Sequence, residues 1–206
     1  MNNISILKKI FPEPHENNYN GLDYDEEGLY SITHPKDADL ISTTIIEILG
    51  KTNINNINII DMTAGCGGNM ISFIKYFKRV IGIELNTKRY NILKRNLSQY
   101  PFNNYELIND NSINYINNNN NYNNNNNNDV FFIDPPWGGP EYKKIMNIEL
   151  YLSNIKLSEF ILMLPKNKLI VLKLPFNYNM NAINKESIIK KININNIIIL
   201  FIINHF

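Results

Sequence analysis

Apolar positions along this chain follow two periods. Adjacent aliphatic and aromatic residues mark five short strands, at Ile57–Asp61, Val80–Glu84, Tyr105–Asp110, Asp129–Ile133 and Lys168–Pro175. Between them the spacing turns helical. Leu40, Ile41, Thr44, Ile45 and Ile48 make one stripe, Ile71, Ile74 and Phe77 a second, and Tyr90, Leu93, Leu97 and Tyr100 a third. Further helices are predicted over Ile4–Phe11 and Leu150–Leu164, and two final strands over Ser187–Asn193 and Asn196–Asn204. Strands alternating with helices, then a terminal strand pair, predict an α/β fold with a doubly wound, Rossmann-like sheet of about seven strands, the last antiparallel.

Composition narrows the picture. A chain of 206 residues suffices for one well-buried domain. Lys+Arg total 20 against Asp+Glu 19, so no global basic field points to nucleic acid, and any phosphate contact must be local. A single cysteine, Cys66, forms no internal disulfide and favours a reducing compartment. No apolar run is long enough to span a bilayer, so no membrane partner is expected. The tract Asn117–Asn128, interrupted only by Tyr122, buries too little apolar surface to offset its ordering entropy and is predicted to be a disordered loop insertion.

Two strand ends carry chemistry. The first strand opens into Met62-Thr63-Ala64-Gly65-Cys66-Gly67-Gly68-Asn69 and then a helix. Strand, glycine turn and helix form a nucleotide-binding unit, but the third spaced glycine of the dinucleotide fingerprint is missing, which favours a ligand without a pyrophosphate. Glu84, ending the next strand, suits a ribose diol. The fourth strand stops at Asp134-Pro135-Pro136-Trp137-Gly138-Gly139-Pro140-Glu141-Tyr142. Two prolines end the ladder there. The Asp134 carboxylate and the Pro135 carbonyl offer neighbouring acceptors for an exocyclic NH2, and Trp137 offers a face on which its ring can stack.

The stretch Asp134–Tyr142 resembles the signature of the trimethylguanosine synthases, S-adenosylmethionine-dependent enzymes that methylate N2 of an RNA 7-methylguanosine cap. The glycine loop, the segment Leu22–Pro35 and Leu164-Pro165-Lys166-Asn167 resemble the same family, so the likeness covers about residues 20 to 174. It implies the S-adenosylmethionine methyltransferase version of the sheet, with residues 1–35 an arm folding over the active site and 36–206 the methyltransferase domain. Asp134, Pro135 and Trp137 become the catalytic set. Thr33, Asp61, Gly65, Gly67, Asn69, Glu84, Asp110 and Asp134 become cofactor contacts, and Ser31, Trp137, Tyr142, Lys143 and Lys166 substrate contacts. On local grounds Thr33 is equally an N-cap before Pro35. The cofactor implied is S-adenosylmethionine, leaving as S-adenosylhomocysteine, with no metal. The implied partner is 7-methylguanosine-capped RNA or a cap analogue, bound by a monomer in the nucleus or cytoplasm, or in a viral factory if the source is a large DNA virus. A 7-methylated guanine is cationic, and its attraction to an indole adds ~0.5–2 kcal/mol. Two alternatives stand beside this reading: methylation of another exocyclic amine, such as rRNA guanine N2 or adenine N6, and a non-catalytic cap or nucleotide binder.

Overall fold

The computed structural model describes residues 3–50, 55–118 and 129–205. Among these the strands are β1 (Asn58–Asp61), β2 (Arg79–Ile83), β3 (Tyr105–Ile108), β4 (Asp129–Ile133), β5 (Tyr151–Leu152), β6 (Ile155–Lys156), β7 (Leu169–Pro175), β8 (Ile188–Ile194) and β9 (Ile197–Ile203). The helices are α1 (Ile4–Ile10), α2 (Glu26–Ser31), α3 (Pro35–Leu49), α4 (Gly68–Tyr76), α5 (Thr87–Leu97), α6 (Ser112–Asn118) and α7 (Leu157–Met163). Seven strands form one mostly parallel sheet in the order β3-β2-β1-β4-β7-β9-β8, and β5 and β6 pair separately. Contacts divide the chain into two units, residues 1–110 and 111–206.

In the first unit β1, β2 and β3 run parallel, Ile59 opposite Val80 and Val80 opposite Tyr105. Parallel strands deliver all their carboxyl ends to one side, so the residues after Asp61, Ile83 and Ile108 share it. Helix α4 is buried from Gly68 to Ile74, on more faces than the predicted stripe. Against it lies α3, where Ser42 and Ser72 hydroxyls meet at 2.7 Å and Ser72 donates to Asp39 at 2.7 Å. In α3 the buried set is Ala38, Ile41, Ser42, Thr44, Ile45 and Ile46, while Leu40 faces solvent. The amino-terminal residues are held: Leu7, Ile10 and Phe11 are buried, and Tyr100 donates from its hydroxyl to the Pro12 carbonyl at 2.8 Å. Burial of each large side chain contributes roughly 1.5–3 kcal/mol, which is why this segment is docked.

In the second unit β4 and β7 run parallel, Val130 opposite Leu169 and Ile133 opposite Leu172. Strand β9 lies antiparallel between β7 and β8, and its side chains are almost all buried, whereas β8 alternates between half-buried and exposed positions as an edge strand should. The helix predicted over Leu150–Leu164 is a hairpin followed by a shorter helix, because Ser153 takes a positive φ of 52° and turns the chain back between β5 and β6. Helix α6 extends into the first two residues of the Asn tract; the rest of the predicted loop insertion lies outside the described residues.

Candidate active site

The cofactor half belongs to the first unit. Asp61 ends β1, fully buried, and its Oδ1 accepts from the Thr63 N–H at 3.0 Å, so the strand end is drawn into the turn that follows. Gly65 (φ 58°) and Gly67 (φ 101°) take left-handed backbone that a side chain would strain, and Gly67 caps α4. Glu84 lies one residue beyond β2. Its Oε2 accepts from Gly65 N–H at 2.9 Å and its Oε1 from Asn86 N–H at 2.8 Å, which locks the loop to the strand end. Burial raises the Glu84 carboxyl above the ordinary range against those two donors and Arg89. Each oxygen keeps capacity for a further donor.

Thr33 is not the cap of α3. His34 holds that position without a side-chain hydrogen bond, and the buried Thr33 hydroxyl instead accepts from Asn69 Nδ2 at 2.9 Å. Asn69 Oδ1 is buried without a hydrogen-bond partner. A buried acceptor left over in a glycine loop fits a ligand that brings a donor, such as the ammonium end of an amino-acid moiety. Asp110 lies beyond the end of β3, half-buried, while its neighbour Asn109 donates to the Glu84 carbonyl at 2.8 Å. Ser31 ends α2 and is exposed.

Two residues that the sequence reading passed over hold this half together. Arg89 donates from Nε to Asp25 Oδ2 at 3.0 Å and from Nη2 to Glu27 Oε2 at 2.5 Å, and its Nη1 stands 4.0 Å from Glu84 Oε1. It thereby fastens α2 to α5 beside the strand end. Burial works against the Asp25 carboxylate, but Arg89 and the Gly28 N–H outweigh it and hold the carboxyl below its usual range. Asn96, fully buried, donates to the Asp23 and Cys66 carbonyls at 2.8 Å each and accepts from Asp23 N–H at 2.8 Å. An asparagine in an apolar helix stripe was the available signal.

The acceptor half belongs to the second unit. Asp134 follows β4 directly, Pro135 is buried, and Trp137 is half-exposed, stacked on its edge by Tyr142 at 5.2 Å and 78°. Trp137 is therefore not lost to the interior. Gly138 (φ 84°) and Gly139 (φ 73°) have nothing within 4 Å of where a Cβ would stand, so they shape the turn rather than admit a close neighbour. Lys143 is exposed, 5.9 Å from the Tyr142 ring, and Lys144 pairs with Glu141 at 2.5 Å in solvent.

Lys166 is not with them. It precedes the first β4–β7 pair while Asp134 follows the last, so the two sit at opposite ends of a strand pair ~13 Å long by strand rise. The pattern Leu-Pro-x-Asn occurs again at Leu174-Pro175-Phe176-Asn177, and this copy leaves β7 at the Asp134 end. There Phe176 is 49% exposed, 6.5 Å from the Tyr142 ring, and Asn177 donates to the Tyr142 and Ile145 carbonyls at 2.8 and 2.5 Å. The two copies look alike in sequence, and only the strand's direction separates them. Lys173, also unanticipated, reaches Asp134 Oδ2 at 2.5 Å.

Among the described residues no group of three or more His, Cys, Asp or Glu could hold a metal, and no helix is long and apolar enough to cross a membrane. The fold recurs in solved structures. A T. thermophilus 16S rRNA N2 methyltransferase in complex with AdoMet and guanosine matches 82% of this chain and 43% of its own at TM-score 0.57 and 14% identity. An rRNA methylase from Streptococcus thermophilus matches 81% of this chain and 95% of its own at TM-score 0.50 and 12% identity. In sequence, the chain is 32% identical to an uncharacterized protein of Acanthamoeba polyphaga mimivirus over 85% of this chain and 75% of that one. It is 31% identical to the trimethylguanosine synthase of Schizosaccharomyces pombe over 59% of this chain, spanning about half (48%) of that relative's length. The profile of a family described as RNA cap guanine-N2 methyltransferase matches residues 56–202, a stretch that runs from just before β1 into β9 and holds both strand-end sites. With an S-adenosylmethionine-dependent methyltransferase fold, a glycine loop with a spare buried acceptor, and a stacked indole after Asp134, this chain belongs to the RNA cap guanine-N2 methyltransferase family.

Proposed function

We propose that the chain transfers one or two methyl groups from S-adenosylmethionine to N2 of a 7-methylguanosine cap on RNA, giving di- or trimethylguanosine. The observation that carries this reading is the half-exposed Trp137 indole, braced by Tyr142 and set three residues after the Asp134 carboxylate. The name of the fission yeast relative supports the same acceptor.

S-adenosylmethionine, when bound, supplies an electrophilic methyl group. Gly65, Gly67, Asn69 and Thr33 would hold its amino-acid end, Asp61 and Glu84 its ribose side, and Asp110 its adenine amine. On the acceptor side Trp137 stacks on the purine. Asp134 and the Pro135 carbonyl accept the two N2 hydrogens and so direct the nitrogen lone pair, a matter of alignment more than of activation. Once the nitrogen is methylated and positively charged it is strongly acidic, and Asp134 is placed to accept the departing proton or pass it to water. Tyr142 and Lys143 line the acceptor rim; Lys166 has no part in it. Residues 1–35 act as an arm over the cofactor half of the chemistry, a role supported by the Arg89 link that fastens α2.

Incubation with 7-methyl-GTP and S-adenosylmethionine, followed by mass analysis of the product, tests the reading. One or two methyl groups on N2 are expected. Methylation of GTP or adenosine in preference, or no transfer at all, would overturn it. Replacing Trp137 by Ala should lower kcat/KM on 7-methyl-GTP at least about tenfold, the size of one lost base–aromatic stack.

A further inference from the structure

Lys173 is an acceptor-half group that the chemistry above leaves without a task. It sits within the buried strand β7, 3% exposed, flanked by Leu172 and Leu174. Leu172 pairs with Ile133, which brings Lys173 level with Asp134 on the neighbouring strand, and on its other side Lys173 pairs with Ile199 of β9. Its Nζ lies 2.5 Å from Asp134 Oδ2 and 5.4 Å from the centroid of the Trp137 ring. Burying an ammonium there costs desolvation, and a buried ion pair can often be exchanged for apolar residues without loss of stability. Packing alone would be served by another leucine or isoleucine.

We infer that Lys173 sets the charge of the acceptor subsite and with it the discrimination between a cationic and a neutral base. This rests on the reading that the acceptor is a guanine. Paired with Asp134, Lys173 makes the subsite neutral before the base arrives. Its ammonium already draws on the electron-rich indole, so a positively charged 7-methylguanine gains less from Trp137 than an isolated indole would give. By holding Oδ2 it also sets the plane of the carboxylate that orients the amine. Lys173 is therefore a positioning and specificity residue acting through Asp134 and Trp137.

Trp137 is the chain's single tryptophan, so quenching of its fluorescence by 7-methyl-GTP and by GTP gives two dissociation constants without need of turnover. The measurement is made slightly below neutral pH, where 7-methylguanine keeps its positive charge, on the wild type, Lys173→Met, Asp134→Asn and the double variant. The ratio of the GTP constant to the 7-methyl-GTP constant should rise about tenfold in Lys173→Met and fall about tenfold in Asp134→Asn, as one unit charge near the ring is removed or left alone. In the double variant, neutral again, it should return to within about threefold of wild type. One ratio in all four proteins would overturn the charge role while leaving the guanine reading intact. No quenching of the wild type by either nucleotide would overturn the guanine reading itself. If Lys173→Met fails to fold, the comparison of Asp134→Asn with the double variant decides: equal ratios reject the inference, a lower ratio in Asp134→Asn upholds it.

Discussion

Asn69 carries two jobs in one amide. Its nitrogen is committed to Thr33, and its oxygen is buried with no partner of its own. Asn69→Ala should therefore weaken S-adenosylmethionine binding about tenfold, measured by calorimetry, the size of one or two lost hydrogen bonds. Cys66 in the same loop is 2% exposed, and burial pushes its thiol up to about 12. It should resist alkylation by iodoacetamide at pH 8 in the folded protein and react once the protein is unfolded, as intact mass would report. The positions of Asp61, Glu84 and Asp134 were legible because each ends or follows a strand whose apolar run is visible in the chain. Lys173 was not, because a lysine inside an apolar run says only that it needs a partner. The partner is 39 residues away and is set by register.

Among the elements, α2 is short, six residues long, and anchored through Arg89. Arg89→Met leaves Asp25, Glu27 and Glu84 without their common cation and should cost about 2–3 kcal/mol in denaturant unfolding, the toll of stranding a part-buried carboxylate. The Asp25 carboxyl is held below its ordinary value when folded, so its contribution is present above the unfolded carboxylate range and is lost as pH falls through the lower folded value. Asp25→Asn should accordingly flatten the acid limb of a stability–pH curve while leaving its shape near neutrality unchanged. Element type followed from periodicity for the seven strands of the main sheet and for α1, α3, α4 and α5, but the short helices α2 and α6 were not predicted. It failed over Leu150–Leu164, where helical spacing continues through residues that a positive φ at Ser153 folds into a hairpin. It also misplaced the Leu-Pro-x-Asn element, since two copies flank β7 and only one leaves it at the Asp134 end.

For the molecule as a whole, alternation of strands and helices was enough to read the sheet and its antiparallel terminal pair, but not which strand lies centrally. With Lys+Arg 20 and Asp+Glu 19 the chain carries almost no net charge, and the exposed Lys143 stands close to a paired Lys144. Binding of capped oligonucleotide should therefore depend weakly on salt, with a log–log slope of about −2 or shallower. A steep slope in a filter-binding titration would mean that far more phosphates are gripped than this surface suggests. The place of β9 also governs the order of assembly during synthesis. Residues 197–203 pair with the whole length of β7, so one flank of that strand stays open to water and to other chains until they leave the ribosome. Lys173 lies opposite Ile199, and so its stretch of β7 gains this second neighbour only when that later segment pairs.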